Sequence, residues 1–455
     1  MTKKRLSLFQ PIDLTEGTCW KTIFLFSIPI IISYLLQQIY TISDAAIVGQ
    51  TLAADEVAGV NDTSPIAFIF LQFAFGVSAG FCAVTARSVG AHDEAAVRRS
   101  LATQIVLSAA LTVALTALAL VLLNPMLAWI NLTPASGEVY RAAFTYCAII
   151  FAGIGAQLFY NFICSFLRSL GDSVTPLLFL LFSTALNVGL DLLFIVTFRW
   201  GVAGAAIATG LSQCVGGLFP LLYFLRPNTS KLLLVRTKLE LQPILNACGN
   251  GSSELMSNIS SSIVSMVYNF QLLKYLGEDG VSAYGVLMYV QFVFVAIYIG
   301  YSIGCAPIVG FHYGAQNHPE LKNMLRMSVI LMSASGVVLT VLARVLAAPL
   351  AKIFVGYDEG LFTLTCHAFR LFSFAFLFAG FNIFASSFFT ALGNGLISAT
   401  ISFLRTLVFQ TSSVILLPLL LGVDGIWYAI TAAEIFATLI SIIFLLAKRR
   451  KYHYM

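Results

Sequence analysis

The chain has 455 residues, of which 59% are hydrophobic and 10% are charged, and its mean hydropathy is +0.91. Soluble globular domains carry about 25% charged residues, so this composition excludes a soluble enzyme and indicates a membrane protein. The net charge of +5 comes largely from residues between the apolar stretches, and we do not expect nucleic acid as a partner.

Apolar stretches long enough to cross about 30 Å of hydrocarbon recur along the whole chain. Six lie in each half, which predicts an all-α membrane protein. The twelve predicted transmembrane spans are 21–48, 62–86, 100–123, 139–167, 175–197, 201–225, 243–275, 281–311, 326–347, 361–390, 396–421 and 424–447.

The second half of the chain repeats the first. GVSAGFCAVTARSVGA, which begins at Gly76, matches GYSIGCAPIVGFHYGA, which begins at Gly300, at an offset of 224 residues. Later matches, FLRSLGD with FFTALGN and GVAG with GVDG, have offsets of 222 and 221. Because six spans return the chain to the same side, the two repeats are predicted to be parallel. The predicted domains are an N-terminal lobe at 1–225, a cytoplasmic linker at 226–242 and a C-terminal lobe at 243–455.

The distribution of positive charge predicts the orientation. With a cytoplasmic N-terminus, nineteen of the 25 Lys and Arg residues lie inside, and the outer six are Arg141, Arg199, Lys274, Arg344, Lys352 and Arg370. This excess of inner charge predicts that both termini are cytoplasmic. We expect a multi-pass protein of the plasma membrane, which is the inner membrane in a cell that has two, in contact with lipid.

Acidic residues inside apolar spans are the main functional signal, because a charged side chain at the bilayer centre costs about 3 kcal/mol or more. The N-terminal half contains Asp44 and Asp191. Asn187 lies one turn before Asp191 on the same helix face, and Thr209 is expected at a similar depth from the rise of about 1.5 Å per residue. This all-oxygen set suits a monovalent cation, or a proton shared by the two acids. The alternative is that Asn187 and Thr209 only join helices by hydrogen bonds.

The C-terminal half contains Glu254 and Glu434 inside predicted spans. Glu254 begins a polar stripe at helical spacing that continues through Asn258, Ser261, Ser265 and Tyr268. We predict that Glu254, Asn258 and Glu434 face a substrate cavity, with polar packing between helices as the alternative. Gln213 occupies the position of Glu434 in the first repeat, so a polar residue there has an architectural explanation as well.

The first span carries Pro29 below a polar stripe that includes Tyr40. Proline removes a backbone hydrogen bond and permits a kink, which predicts a hinge at Pro29. Aromatic side chains such as Tyr40 are suited to line a cavity for flat cationic compounds.

No enzyme or cofactor motif is present in the sequence. The eight cysteines have no ligand spacing, the five histidines form no catalytic pattern, and there is no GxxxxGK[ST] nucleotide-binding motif. We therefore expect no catalytic activity, no bound metal centre and no cofactor other than a coupling ion.

The first span and its surroundings, DLTEGTCWKTIFLFSIPIIISYLLQQIYTISDAAIVGQTL, resemble the multidrug and toxic compound extrusion (MATE) transporters. The parallel repeat, the glycine-rich ends of spans 2 and 8, and the SLGD and ALGN loops resemble the same family over essentially the whole chain. The resemblance implies a V-shaped pair of six-helix lobes that alternates between outward and inward openings. It also implies an antiporter that exports an organic compound in exchange for H⁺ or Na⁺, and we expect it to act as a monomer.

The resemblance also assigns residues. It implies that Asp44, Asn187, Asp191 and Thr209 form the N-lobe cation site, that Tyr40 and Asn161 line the cavity, that Pro29 is the helix-1 proline and that Glu254 is the helix-7 acid. This chain departs from some members because the predicted span 361–390 holds no acid.

The main alternative function is a flippase of the same superfamily for a lipid or lipid-linked sugar. Such a protein would be expected to place cationic side chains in its cavity to pair with phosphate. In this sequence the embedded charges are acidic, and Arg370 and Arg405 are expected nearer the ends of their spans. The pattern therefore favours a cationic or neutral substrate.

Overall fold

The structure is a computed structural model that describes residues 19–225 and 241–455. Within these two ranges the regular structure is entirely helical. Fourteen α-helices are present there, which are α1 Cys19–Thr51, α2 Ala54–Gly90, α3 Glu94–Trp129, α4 Glu138–Ala152, α5 Ile154–Ser169, α6 Val174–Asp191, α7 Gly201–Leu225, α8 Leu241–Gly314, α9 His318–Val355, α10 Glu359–Phe372, α11 Phe376–Ala391, α12 Gly395–Phe403, α13 Thr411–Leu421 and α14 Val423–Tyr452.

These helices account for the twelve predicted spans. In the described part of the chain, eight helices are long and apolar enough to cross a membrane, or nine if the bent pair α4 and α5 forms one span. That count takes α8 as one helix, although Gly277, with a φ of 67°, divides it into two. A glycine adopts this conformation without the clash that a Cβ would cause. With α2 and α7 the helical segments number twelve, and the prediction of an all-helical, multi-pass membrane protein is confirmed.

Four of the predicted spans are less regular than the sequence suggested, and one of them, predicted at 361–390, is interrupted by the 3₁₀ segment Ser373–Ala375 between α10 and α11. The span predicted at 139–167 bends by 44° between α4 and α5. Two others contain π-helical segments, Leu192–Thr197 after α6 and Leu404–Gln410 between α12 and α13. A π-helical turn is wider than an α-helical one and is frequently found at functional sites.

The chain divides into two compact units whose limits differ from the predicted lobes at 1–225 and 243–455. Among the described residues, the first unit contains Leu36–Gly251, and the second contains the part of α1 before Leu36 together with Ser252–Met455. The predicted limits follow the sequence repeat, whereas each compact unit also includes the beginning of the other repeat's first span. The predicted linker falls almost entirely on 226–240, outside the described residues.

Glycines make room for these exchanged segments. In the second unit, a Cβ on Gly304 would lie 2.5 Å from Oγ and 2.9 Å from Cα of Ser27, so α8 and the start of α1 are in backbone contact. In the first unit, a Cβ on Gly80 would overlap the carbonyl oxygen of Ala247, so α2 is in the same relation to the start of α8. Gly80 and Gly304 are equivalent positions of the repeat, and the packing is therefore repeated as well as the sequence.

The main core of the first unit is formed by buried aromatic and aliphatic side chains of α2, α3, α4 and α5, together with single alanines of α7 and α8. The rings of Phe81 and Phe162 lie 5.9 Å apart and join α2 to α5. The rings of Phe70 and Phe151 lie 5.1 Å apart and join α2 to α4. This packing holds α2, α4 and α5 together.

Candidate functional site

The four residues predicted to bind a cation come together in the first unit, where three helices meet. Asp44 is on α1, Asn187 and Asp191 are on α6, and Thr209 is on α7. The carboxyl groups of Asp44 and Asp191 are within hydrogen-bonding reach of each other. The Asn187 side-chain amide donates to Thr209 Oγ1 at 3.5 Å. Asn187 and Asp191 are both fully buried.

Several oxygens of this site lack a hydrogen-bond donor. Among the described residues, none donates to Asp44 Oδ1, to Asn187 Oδ1 or to either carboxylate oxygen of Asp191. Leaving a buried acceptor without a partner costs about 1–3 kcal/mol, and more when the group is charged. Two adjacent carboxylates also repel each other unless a cation or a proton lies between them. These oxygen atoms are therefore suitable ligands for a hard monovalent cation, or for a shared proton.

Local backbone structure explains how α6 presents its two site residues. Asn187 and Asp191 are one helical turn apart, so their side chains lie on one face of α6. Asp191 is the last residue of α6, and the π-helical segment Leu192–Thr197 follows it directly. The regular hydrogen-bond pattern thus changes at the residue that bears the acid.

Two tyrosines complete the surroundings of the acids. The Tyr40 side chain lies close to those of Thr209 and Asp44. Tyr146, on α4, is close enough to Asp44 and Asp191 to interact with the charge of both. Sequence reasoning missed Tyr146, although a tyrosine inside an apolar span opposite two embedded acids is a usable signal.

A cavity opens in the first unit next to Tyr40. Its volume is about 40 Å³, and it is open on one side. The residues that line it carry no charge, and all of them except one leucine are polar. They are Gln37, Tyr40, Gln157, Tyr160, Leu180, Ser183, Thr184, Ser212 and Gln213. Asn161, predicted as a cavity residue, is half-buried on α5 next to Tyr160 and does not line this cavity.

Close packing of α5 and α7 shapes one wall of the cavity. A Cβ on Gly217 would lie 2.7 Å from the carbonyl oxygen of Ala156, so a larger residue would force the two helices apart. Tyr160, one turn after Ala156, lines the cavity beside this contact. The glycine therefore sets the distance between the helices that carry Tyr160 and Gln213.

In the second unit, the polar stripe of α8 is only partly described. The side chain of Glu254 lies outside the described part of the structure, and Asn258 is half-buried. Further along, Ser265 lies close to Tyr284, whose ring stacks on that of Tyr268 at 4.9 Å. This end of the stripe therefore packs against the part of α8 that follows Gly277.

Glu434 does not face an open cavity, because its carboxylate is buried and is bound by other side chains. It is 1% exposed. Arg405 Nε donates to its two carboxylate oxygens at 2.8 and 3.0 Å, and the Arg405 terminal nitrogen lies 2.7 Å from Oε1. The Asn382 amide donates to Glu434 Oε2 at 2.7 Å and to the Glu434 carbonyl at 2.9 Å.

The expectation that Arg405 lies near the end of its span was wrong. Arg405 is in the π-helical segment Leu404–Gln410, well inside the span that runs from α12 to α13. Its charge is tolerated there because Glu434 supplies the opposite charge with bidentate geometry. Sequence inspection missed this pair because the two residues are 29 positions apart on different helices.

Pro29 lies inside α1, which continues through it as a helix. The Ser33 hydroxyl donates to the Pro29 carbonyl at 2.8 Å, whereas the carbonyl that loses its helical donor at this proline is that of Leu25, four residues earlier. The two compact units divide α1 between Leu35 and Leu36, less than two helical turns after Pro29. The predicted hinge is thus close to the point where α1 passes from one unit to the other.

A family model described as MatE matches the chain twice, at residues 29–193 and again at 255–415. The chain belongs to the MATE family of transporters. The two matches correspond to the two halves of the internal repeat, and the resemblance based on the first span and the repeat is confirmed. The MATE fold therefore accounts for both six-helix halves.

Two curated relatives match most of the chain. The probable multidrug resistance protein YoeA of Bacillus subtilis is 26% identical over 363 residues, which cover 76% of each chain. The multidrug export protein MepA of Staphylococcus haemolyticus is 23% identical over 426 residues, which cover 92% of this chain and 91% of the relative.

Solved MATE structures share the fold. A structure described as the outward-facing conformation of a multidrug resistance MATE family transporter of the MOP superfamily matches with a TM-score of 0.91 and 23% identity. The match covers 98% of this chain and 99% of that chain.

Proposed function

We propose that this MATE transporter is a secondary antiporter that exports organic, mainly cationic, compounds in exchange for H⁺ or Na⁺. The coupling ion binds at Asp44, Asn187, Asp191 and Thr209. The names of YoeA and MepA, a multidrug resistance and a multidrug export protein, support this class of substrate.

One observation carries the proposal, which is the pair of acids that share a buried position without donors. Asp44 and Asp191 face each other, and both oxygens of Asp191 lack a hydrogen-bond partner among the described residues. A permanent structural pair would be expected to have a basic or amide partner, as Glu434 has in the second unit. An exchangeable ion satisfies the same oxygens and can leave again, which is what coupling requires.

The cavity beside Tyr40 supports an organic substrate. Its polar, uncharged walls with Tyr40 and Tyr160 can hydrogen-bond a ligand and stack on a flat ring. Because Tyr40 borders the cavity and also lies close to Thr209 and Asp44, it connects the substrate space to the ion site. Binding of an ion can thereby change the position of a residue that the substrate contacts.

The flippase alternative has less support. A phosphate-bearing lipid would be expected to meet unpaired cationic side chains, yet the lining of this cavity contains none. Arg405, which does lie inside a span, is already neutralised by Glu434.

Efflux from proteoliposomes tests the proposal. A cationic dye is loaded, and an inward Na⁺ gradient and an inward H⁺ gradient are imposed in separate experiments. We expect efflux to require one of the two gradients and to proceed without nucleotide. Efflux that continues when both gradients are collapsed would disprove ion coupling.

A further inference from the structure

We propose that the Glu434 carboxylate, held in place by Asn382, forms a second monovalent-cation site in the second unit, and that the chain's own Arg405 occupies it permanently. The guanidinium group acts as a tethered cation in a pocket that would otherwise accept a free one. Removing it should expose a binding site for a guanidinium ion or for Na⁺.

The geometry of the cluster is that of a site and its ligand. Both carboxylate oxygens of Glu434 accept from the Arg405 guanidinium, and Asn382 adds a further donor at 2.7 Å. The Asn382 oxygen accepts in turn from Thr438 at 3.2 Å and from Ser441 at 3.3 Å, which fixes the amide so that its NH₂ group faces the carboxylate. The pocket is therefore held in place by residues other than the arginine.

The two members of the ion pair differ in accessibility. The Glu434 side chain is 2% exposed, whereas that of Arg405 is 19% exposed. Arg405 also stands on the wide π-helical turn Leu404–Gln410, while Glu434 is in the middle of the regular helix α14. The acid thus belongs to the fixed interior, and the cation reaches it from the more accessible side.

The internal repeat gives independent support. Gln213 and Thr184 stand 221 residues before Glu434 and Arg405, and both line the open cavity of the first unit. At these two equivalent positions, the first unit has neutral residues beside an open cavity, whereas the second unit has an ion pair that fills the space. The acid and the base that fill it are arranged so that the pair carries no net charge.

The consequence for transport rests on the proposed function. If Arg405 fills the cation site of the second unit, exchangeable ions are confined to Asp44 and Asp191. The binding test itself does not depend on transport, so the failure of either proposal can be recognised separately.

The test is chemical replacement of the missing cation. Purified Arg405→Ala is unfolded thermally in increasing guanidinium chloride or sodium chloride, in the millimolar range, with choline chloride added to keep the ionic strength constant. We expect Arg405→Ala to melt at a lower temperature than the unmodified protein. We also expect its melting temperature to rise when guanidinium is added, when Na⁺ is added, or in both cases. At a ligand concentration ten times Kd, the ratio of folded to unfolded protein should increase about elevenfold.

Two control variants separate this site from general ion effects. Arg405→Ala combined with Glu434→Gln removes the carboxylate, and its melting temperature should rise no more with either cation than that of the unmodified protein, which keeps the proposed site at Asp44 and Asp191. Arg141→Ala breaks a pair of similar length, 2.9 Å to Glu138, in which both side chains are exposed, and it should likewise rise no more than the unmodified protein. An equal rise in these variants or in the unmodified protein, or no rise in Arg405→Ala, would overturn the proposal.

Poor folding of Arg405→Ala is also informative. In that case the measured quantity is the yield of monodisperse protein purified with and without guanidinium. Recovery by guanidinium, and independently by adding Glu434→Gln, supports a vacated cation site. Recovery by neither would show that Arg405 acts through packing alone and would overturn the proposal.

Discussion

Replacing Asp44 by Asn tests whether the two acids of the first unit act together on one ion. The substitution keeps the size of the side chain and removes one negative charge next to Asp191. A cation about 4 Å from a carboxylate gains about 4 kcal/mol at an effective dielectric constant of about 20. Losing that attraction should weaken cation binding by up to about 1000-fold. Asp191→Asn should have a similar effect.

The assay measures dye efflux from proteoliposomes over a range of Na⁺ concentrations and, separately, of pH gradients. We expect each single variant to lose efflux at ion gradients that saturate the unmodified protein. The double variant should be little worse than either single one, because residues that act as a unit are not additive. Asp424→Asn provides a matched control, since Asp424 is in the second unit, is about half exposed and pairs with His367.

Two results would refute this reasoning. The first is an unchanged apparent ion affinity in Asp44→Asn. The second is a double variant in which the loss of ion binding free energy equals the sum of the losses in the two single variants. Asp44 and Asp191 would then act at independent sites.

Three further substitutions test other parts of the molecule. Glu254→Gln should weaken a cationic dye more than a neutral substrate; unchanged dye binding with a lower melting temperature would instead show that Glu254 is structural. Pro29→Ala should stabilise α1 by up to about 3 kcal/mol and slow transport, and normal efflux rates in this variant would contradict the hinge. Gly304→Ala should lower the melting temperature by the equivalent of about 1–3 kcal/mol, because its Cβ would meet Ser27. Gly285→Ala is the control in the same helix, with nothing within 4 Å of the added Cβ, and it should be neutral or slightly stabilising.

The spans and the repeat could be predicted from the sequence because the membrane imposes them. A stretch of apolar residues must form its backbone hydrogen bonds internally, so it becomes a helix wherever it crosses. The position of Asp191 one turn after Asn187 was equally readable, since helical periodicity determines which side chains share a face. The sequence could not predict the π-helical segments, which depend on tertiary packing more than on local composition.

Side-chain partners between distant helices were also beyond sequence reasoning. Arg405 and Glu434 were each visible as charges inside or near spans, but their pairing depends on how the helices are rotated and on the long reach of arginine. Tyr146 was overlooked because an isolated tyrosine in an apolar span is most often packing. The sequence did not reveal that α1 is divided between the two compact units. A sequence repeat shows which segments were duplicated, but it does not show which segments pack together.

The division of α1 also constrains how the protein can be made. The first compact unit needs chain up to Gly251, and the second needs the beginning of α1, which precedes the rest of that unit by about 200 residues. Each half of a chain severed between 226 and 240 would therefore expose a glycine-lined surface, at Gly80 in one fragment and at Gly304 in the other. We expect the two fragments to be degraded when expressed alone and to be rescued by co-expression, since each carries the helix segment that the other lacks.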